Sequence, residues 1–565
     1  MNAERLLAHY EHIADAPDAI ARLRRFILDL AVRGKLVPQL PNDQPIESKL
    51  LLRELDRKQP TGRTGADLGP VTLEEVPVDI PKSWNWSRLF QLCVQDAPIV
   101  YGILQPGPDI RPEGVPYVRP SEIENGQIAL SDIRHTTREI AGQYSRASIQ
   151  SGDLIFTIVG TIGAVAIVPD ELDGGNITQS SCRLRVDPRL IERDFLLQAL
   201  RSNCVIDQID RMKLGTAVPR LNIAHVRAIA IPLPPLAEQH RIVAKVDKLM
   251  ALCDRLEAAR ASREALRHRL VAASLARLNA PDPETFQADA HFVVDALPEL
   301  TARAEQIKPL RQTILNLAVR GKLVPQDPND EPAWQLLKRI AAEKARLDRK
   351  ERTKRELNNL NANAEPMQIP KGWALAPLAD LVTVLNGRAY KQNELLSAGT
   401  PVLRVGNLFT SDKWYYSTLQ LDEDKYCEKG DLIFAWSASF GPFIWDGEKA
   451  IYHYHIWKLP LHSESDLNKL YLYNFLLHKT REIKEAGHGI SMIHMTKEKM
   501  EKLVVPLPPL AEQHRIVAKV DALMALCDRL EASLTAAAAA RRRLLYALLA
   551  EALAPVDAAK LEEVA

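Results

Sequence analysis

The stretch Pro232–Ala258, PLPPLAEQHRIVAKVDKLMALCDRLEA, returns at Pro506–Ala532 with a single change, Lys248 to Ala522. A second pair, Leu23–Pro45 (LRRFILDLAVRGKLVPQLPNDQP) and Leu310–Pro332 (LRQTILNLAVRGKLVPQDPNDEP), repeats the pattern. Matches this close and this far apart restrict the fold to one plan used twice. The sequence between the repeats barely matches. A duplicated frame carrying two different inserts suits a protein that reads two different things at a fixed separation. The chain has 565 residues, too many for one core, and divides into roughly three or four packing units.

The order of parts follows from the repeats. Residues 1–58 form an N-terminal helical frame region, broken by the Arg33-Gly34-Lys35 turn and the Pro38–Pro45 loop. Residues 59–80 are rich in Pro, Gly and Thr and read as a linker. The first insert, 81–231, holds strand-like runs at Gly114–Pro120, Asp153–Gly160 and Gly163–Pro169, with a helical stretch near Ile191–Ile209. A first long helix covers 232–278, a central helical frame region 279–357 and an Asn-rich linker 358–369. The second insert is 370–505, and 506–565 holds a second long helix and the C-terminal tail. Ile-Pro-Lys-x-Trp opens both inserts (Ile80–Trp84, Ile369–Trp373), and Gly-Asp-Leu-Ile-Phe occurs in both (Gly152–Phe156, Gly430–Phe434). Gly114–Arg119 also parallels Gly399–Arg404, so the inserts share a fold while their surfaces differ.

Each long helix opens after two prolines, with Glu238 in the first turn of the first copy, where the helix dipole favours an anion. Ile242, Val246, Leu249, Cys253 and Leu256 then fall at alternating steps of four and three, an a/d seam repeated at Ile516, Val520, Leu523, Cys527 and Leu530. Helical composition extends over roughly 40 residues, or about 60 Å. The predicted fold class is α+β: two α/β domains separated by long antiparallel coiled-coil helices, with an internal pseudo-twofold repeat.

Formal net charge is +1, so bulk electrostatics does not announce a polyanionic partner. The six cysteines show no metal-ligand spacing, and Cys253 and Cys527 read as small buried thiols. No signal peptide or membrane-spanning stretch is predicted, and the expected location is the cytoplasm. A phosphate loop GxxxxGK[ST] is absent, as are the FxGxG and [DNS]PP[YFW] motifs of adenine methyltransferases. Leu55–Lys58 and Leu347–Lys350 imitate nuclease carboxylate–lysine clusters, but both lie in charged helices where a solvated face is the plainer reading. His453 and His455 would share a strand face. They read as polar surface and not as metal ligands, for no Cys or carboxylate cluster accompanies them. The chain is expected to be non-catalytic, with no catalytic or metal residues.

With LAVRGKLVPQ, PLPPLAEQHRIVAKVD and LMALCDRLEA in view, the chain resembles the specificity (S) subunit of a type I restriction–modification enzyme, in its longer-chain branch. The resemblance spans the whole order of frame and insert. It implies a DNA-reading subunit whose inserts are target-recognition domains, each reading one half of a bipartite double-stranded target. It also implies that the paired helices form an antiparallel spacer that docks two methyltransferase (M) subunits, with restriction (R) subunits joining them. S-adenosylmethionine, ATP and Mg would belong to those partners, leaving no cofactor on this chain. The spacer's length of about 60 Å matches roughly 17 base pairs of duplex.

Base reading needs Arg, Lys, Asn, Gln or Ser on loops, with cations alongside for phosphates. The first insert offers Tyr101, Gln105, Arg119, Arg134, Arg138, Lys213 and Arg220; the second offers Arg388, Tyr390, Lys391, Arg404, Lys413, Tyr415, His488 and His494. Ordinary surface solvation competes at each position. Arg119 and Arg404 share a position, so a role in the common fold competes there too. Partner docking is expected from an exposed helix face containing Glu238, Gln239, His240 and Arg241, with its copy Glu512, Gln513, His514 and Arg515. A coiled-coil scaffold whose inserts bind proteins is the alternative of a different class.

Overall fold

The structure, a computed structural model, describes residues 13, 15–44, 46, 69–72, 74–124, 126–215, 219–280, 282–351, 369–437, 439–486 and 495–554. Most of the predicted linkers, the end of the first frame region, the C-terminal tail, and His488 and His494 lie outside the described residues. The chain divides into two compact units, Met1–Arg263 with Ala538–Ala565, and Glu264–Ala537. The helices that matter here are α1 (Ala19–Val32), α2 (Arg193–Leu200), α3 (Asn203–Met212), α4 (Leu236–Asn279), α5 (Ile307–Val319), α6 (Ala333–Glu351), α7 (Lys469–Ala486) and α8 (Leu510–Leu553). The long helices α4 and α8 have 44 residues each, about 66 Å. α4 starts in the first unit and ends in the second, and α8 does the reverse.

In the first unit the insert contains β1 (Asn85–Arg88), β2 (Val115–Val118), β3 (Arg134–Thr136), β4 (Leu154–Thr157), β5 (Val165–Ile167), β6 (Asn176–Ile177), β7 (Ser181–Leu184) and β8 (Ala230–Leu233). β1 and β8 pair antiparallel with Asn85 opposite Leu233, bringing the insert's two ends together. Two three-stranded sheets lie between them, ordered β3-β2-β6 and β5-β4-β7. The second unit repeats this with β9 (Ala374–Pro377), β10 (Leu385–Asn386), β11 (Thr400–Leu403), β12 (Tyr415–Ser417), β13 (Tyr426–Cys427), β14 (Leu432–Ser437), β15 (Ser439–Ile444), β16 (Ala450–Tyr452), β17 (Ile456–Lys458) and β18 (Val504–Leu507). β9 closes on β18, with Ala374 opposite Leu507. The sheets here are β10-β17-β14-β15 and β12-β11-β16-β13. The matched Gly-Asp-Leu-Ile-Phe runs lead into β4 and β14, whose side chains are almost all buried because both faces of the strand are covered.

Three repeated motifs meet at one junction in each unit. In the first, Trp84 Nε1 donates to Glu238 Oε2 (3.0 Å) and Gln39 Nε2 donates to Glu238 Oε1 (2.9 Å). In the second, Trp373 donates to Glu512 (2.9 Å) and Gln326 to the other Glu512 oxygen (3.1 Å). Gln239 Oε1 accepts from the Glu192 amide, and its Nε2 donates to the Pro234 carbonyl. Gln513 does the same with Asn468 and Pro508. Arg241 pairs with Asp43 (2.6 Å) and Arg515 with Asp330 (2.6 Å). Gly34 and Gly321 hold φ of +65° and +64°, and a Cβ on either would collide with the ring of Pro81 or Pro370. The Arg-Gly-Lys turn is therefore shaped to receive the Ile-Pro-Lys-x-Trp entry of its insert.

This geometry corrects the expected docking face. Glu238, Gln239, Glu512 and Gln513 are buried, and Arg241 and Arg515 are ion-paired within their own units. A carboxylate and a carboxamide at a helix start are buried here because partners satisfy them. Of the eight side chains, His240 and His514 are the exposed ones. The seam residues Ile242, Val246 and Cys253 pack in one cluster with Ile27, Leu28, Ala31 and Val32 of α1. Ile516, Val520 and Cys527 pack likewise with Ile314, Leu315, Ala318 and Val319 of α5. Leu249, Leu523 and Leu530 are partly buried beside these clusters, while Leu256 is exposed. α1 also packs on Leu545, Leu548 and Leu549 near the end of α8. Among the described residues, no helix is long and apolar enough to cross a membrane.

Trp84→Phe keeps an aromatic ring, though a smaller one, and leaves a buried Glu238 oxygen without its indole donor. The expected cost is about 1–3 kcal/mol, read as faster amide hydrogen exchange in the first unit.

Candidate nucleic-acid interface

The first insert gathers most of its nominated residues on one run of connected loops. Tyr101 is exposed and bridges to Cys182 through the backbone, and Ile103 bridges to Thr178. Gln105 is exposed on the same segment, and the next residue's carbonyl, that of Pro106, accepts from Thr136 Oγ1 (2.6 Å). That bond ties the Gln105 loop to β3, which carries exposed Arg134; Arg138 follows at the start of a short helix, also exposed. On the other side, Arg220 bridges to Val159, and Lys213 pairs with Asp210. Lys213 lines a cleft of about 490 Å³ with Gly160, Thr161, Gly163 and Pro219. Arg119 has a different task. Its side chain donates to buried Glu122, whose carboxylate in turn accepts from the Arg119 amide, closing a short turn. At the matching position the Arg404 amide donates to Asn407 Oδ1 (3.1 Å). The shared backbone turn explains the shared position, although the Arg404 side chain is exposed.

The second insert concentrates cations and aromatic rings. The Arg388 guanidinium lies 5.4 Å from the centre of the Tyr390 ring and pairs with Glu394. Arg404 and Lys413 both lie 5.2 Å from the Tyr415 ring. Tyr390 stacks on His453 at 6.4 Å, and His453, Tyr454 and His455 form a ring cluster capped by Trp436 against His455. Lys391 is exposed next to Tyr390. The sequence expectation of His453 and His455 on one strand face is corrected. They sit in the tight connection between β16 and β17, where the rings approach to 4.8 Å. Trp436 and Tyr454 were not nominated from sequence; the YHYHIW run was the available signal. Among the described residues, no group of His, Cys, Asp and Glu is arranged to hold a metal ion.

Electrostatics in this cluster favours neutral rings among fixed cations. Burial, then His455 and Arg404, pull His453 down to about 4. Burial pushes Tyr390 up to about 12, and its hydroxyl is buried without a hydrogen-bond partner. A hydrogen bond from Lys413 lowers Tyr415. Such a face offers neutral donors and acceptors between positive charges, the mixture that base edges and phosphates require.

Two copies of one sheet-and-loop domain, each set on the same helical frame and each with its own polar face, define a two-headed recognition protein. Residues 105–264 and 370–538 each match the family described as Type I restriction modification DNA specificity domain. The chain belongs to that family. It is similar to the type I restriction enzyme EcoAI specificity subunit of Escherichia coli, 28% identical over 91% of this chain and 90% of that protein. It is also similar to the EcoEI specificity subunit of Escherichia coli, 30% identical over 64% of this chain and 62% of that protein. A chain from a solved structure of the type I R-M system shares the fold, with TM-score 0.50 and 22% identity, covering 84% of this chain and 98% of that one.

Because the folded state holds His453 depressed, the unfolded chain binds more protons between about pH 6.5 and 4. The stability this histidine contributes is complete above its unfolded value and lost as pH falls through about 4. A His453→Gln variant is expected to lose less stability than the parent over that window, as measured by thermal melts at stepped pH.

Proposed function

We propose that this chain is the non-catalytic specificity subunit of a type I restriction–modification complex, each insert reading one half of a bipartite duplex target. The observation that carries the reading is the contrast between a duplicated frame, conserved to its buried hydrogen bonds, and two faces that share a backbone but not side chains. Near-identical frames suit two copies of one partner, which supports two equivalent sites for methyltransferase subunits, with restriction subunits joining that core. S-adenosylmethionine, ATP and Mg belong to those partners in this reading. The near-neutral net charge fits a reader that binds tightly only within such an assembly. For docking, the reading moves from the buried Glu–Gln pair to the exposed repeated positions such as His240, Lys245, His514 and Lys519.

Co-expression with the cognate methyltransferase subunit is expected to give a complex of two such subunits per chain by native mass measurement; a one-to-one complex contradicts two equivalent sites. The long helices are proposed as the ruler between half-sites. Inserting about four residues, one helical turn, into α4 is expected to change the non-specific spacer by about two base pairs. Methylome sequencing of the variant reads the spacer directly, and an unchanged spacer counts against the ruler.

A further inference from the structure

The two inserts share one connection whose backbone is the same and whose side chains are not. In the first, Tyr117 and Val118 of β2 pair parallel with Asn176 and Ile177 of β6; in the second, Val402 and Leu403 of β11 pair with Ile451 and Tyr452 of β16. On the far side, Phe156 pairs with Cys182, and its counterpart Phe434 pairs with Trp457. Four residues separate Ile177 from Cys182, and four separate Tyr452 from Trp457. Thr178-Gln179-Ser180 therefore occupies the place of His453-Tyr454-His455.

The hydrogen bonds agree residue by residue. The Thr178 amide donates to Val118 O (3.1 Å) as His453 donates to Leu403 O (2.9 Å). The Gln179 amide donates to Ile103 O (2.9 Å) as Tyr454 donates to Arg388 O (3.0 Å). The carbonyl of Ser180 accepts from the Ile158 amide (2.9 Å) as that of His455 accepts from Trp436 (3.1 Å). In both units a glycine, Gly102 or Gly387, lets the neighbouring segment lie directly on this connection, where any Cβ would strike the carbonyl of Ile177 or Tyr452. Trp436 Nε1 adds a bond to the Tyr454 carbonyl (2.9 Å).

The connection is thus held rigid from several sides while its middle side chain faces out. Gln179 is exposed, and Tyr454 is 40% exposed. Thr178 is buried beneath this exposed middle position. Nominated side chains flank it: Tyr101, bridged to Cys182, in one unit, and Arg388, Tyr390 and Arg404 in the other. A fixed backbone with exchangeable polar side chains is what base discrimination demands.

We propose that this connection is the base-reading element of each insert, and that Thr178-Gln179-Ser180 and His453-Tyr454-His455 set which bases the two half-sites contain. The proposal rests on the DNA-specificity reading above and names the residues within it. The test replaces His453→Thr, Tyr454→Gln and His455→Ser together in the full chain, expressed with its partner subunits, and sequences the host methylome. The expected result is a changed or relaxed base in one half-site, with the other half and the spacer as in the parent. The parental motif unchanged would overturn the proposal. If the triple variant methylates nothing, Gln179→Ala decides, for it removes only an exposed side chain and keeps every backbone bond. It is expected to relax discrimination about tenfold at one position of the other half-site; undiminished discrimination overturns the proposal. A parent chain that directs no bipartite methylation defeats the underlying function instead, which separates the two failures.

Discussion

A buried carboxylate at the first turn of each long helix organises its unit. Glu238 and Glu512 each receive an indole N–H from the insert's entry and a carboxamide from the frame's Pro-Gln segment. Burial alone would penalise such a group, and it holds Glu512 above the ordinary carboxylate range. Two donors and the positive end of the helix dipole offset that cost. The arrangement forces frame turn, insert entry and helix start into one geometry, so the recognition domain leaves the frame at a defined angle. Each insert is also held to its frame by the β1–β8 or β9–β18 closure, by the Gln239–Glu192 and Gln513–Asn468 bonds, and by apolar packing against α1 or α5.

This division of labour explains where the sequence is repeated and where it is free. Glu238, Gln239, Glu512 and Gln513 are each bound by partners within their own unit, so changing a partner would orphan a buried polar group. On the exposed loops fewer side chains are constrained in this way. Loops fixed through their backbone tolerate any side chain that does not disturb the carbonyl and amide bonds. The cluster of Arg388, Arg404, Lys413 and neutral rings in one unit, against Tyr101, Gln105, Arg134 and Arg220 in the other, shows that freedom in use. Different targets can thus be read from one scaffold without a change in its core.

Much of the frame was legible beforehand because periodicity and repetition report on buried backbone geometry. The long helices run Leu236–Asn279 and Leu510–Leu553; the first ends one residue past the expected 278, and both open four residues after the expected 232 and 506, beyond the paired prolines. The strands at Val115–Val118, Leu154–Thr157 and Val165–Ile167 fell inside the apolar runs. The docking expectation failed where polarity was taken for exposure: Glu238 and Gln239 look like solvent-facing residues until Trp84, Gln39 and Glu192 are placed around them. The alternating Tyr and His of the His453–His455 segment mimic a strand's period, yet the segment is the tight connection between two strands.

Sequence alone established the duplication and the alternation of repeated and unlike segments, because these are properties of repeated identity, and it carried the family resemblance in its quoted motifs. Tertiary structure decided which polar residues face inward, which cations share a face, and that Thr178–Ser180 and His453–His455 hold one place in one backbone. Those are facts about partners far apart in the chain. The Gln39–Glu238 and Trp84–Glu238 bonds, like the pairing of β6 with β2, exist only after distant segments have been packed together, and no local spacing encodes them.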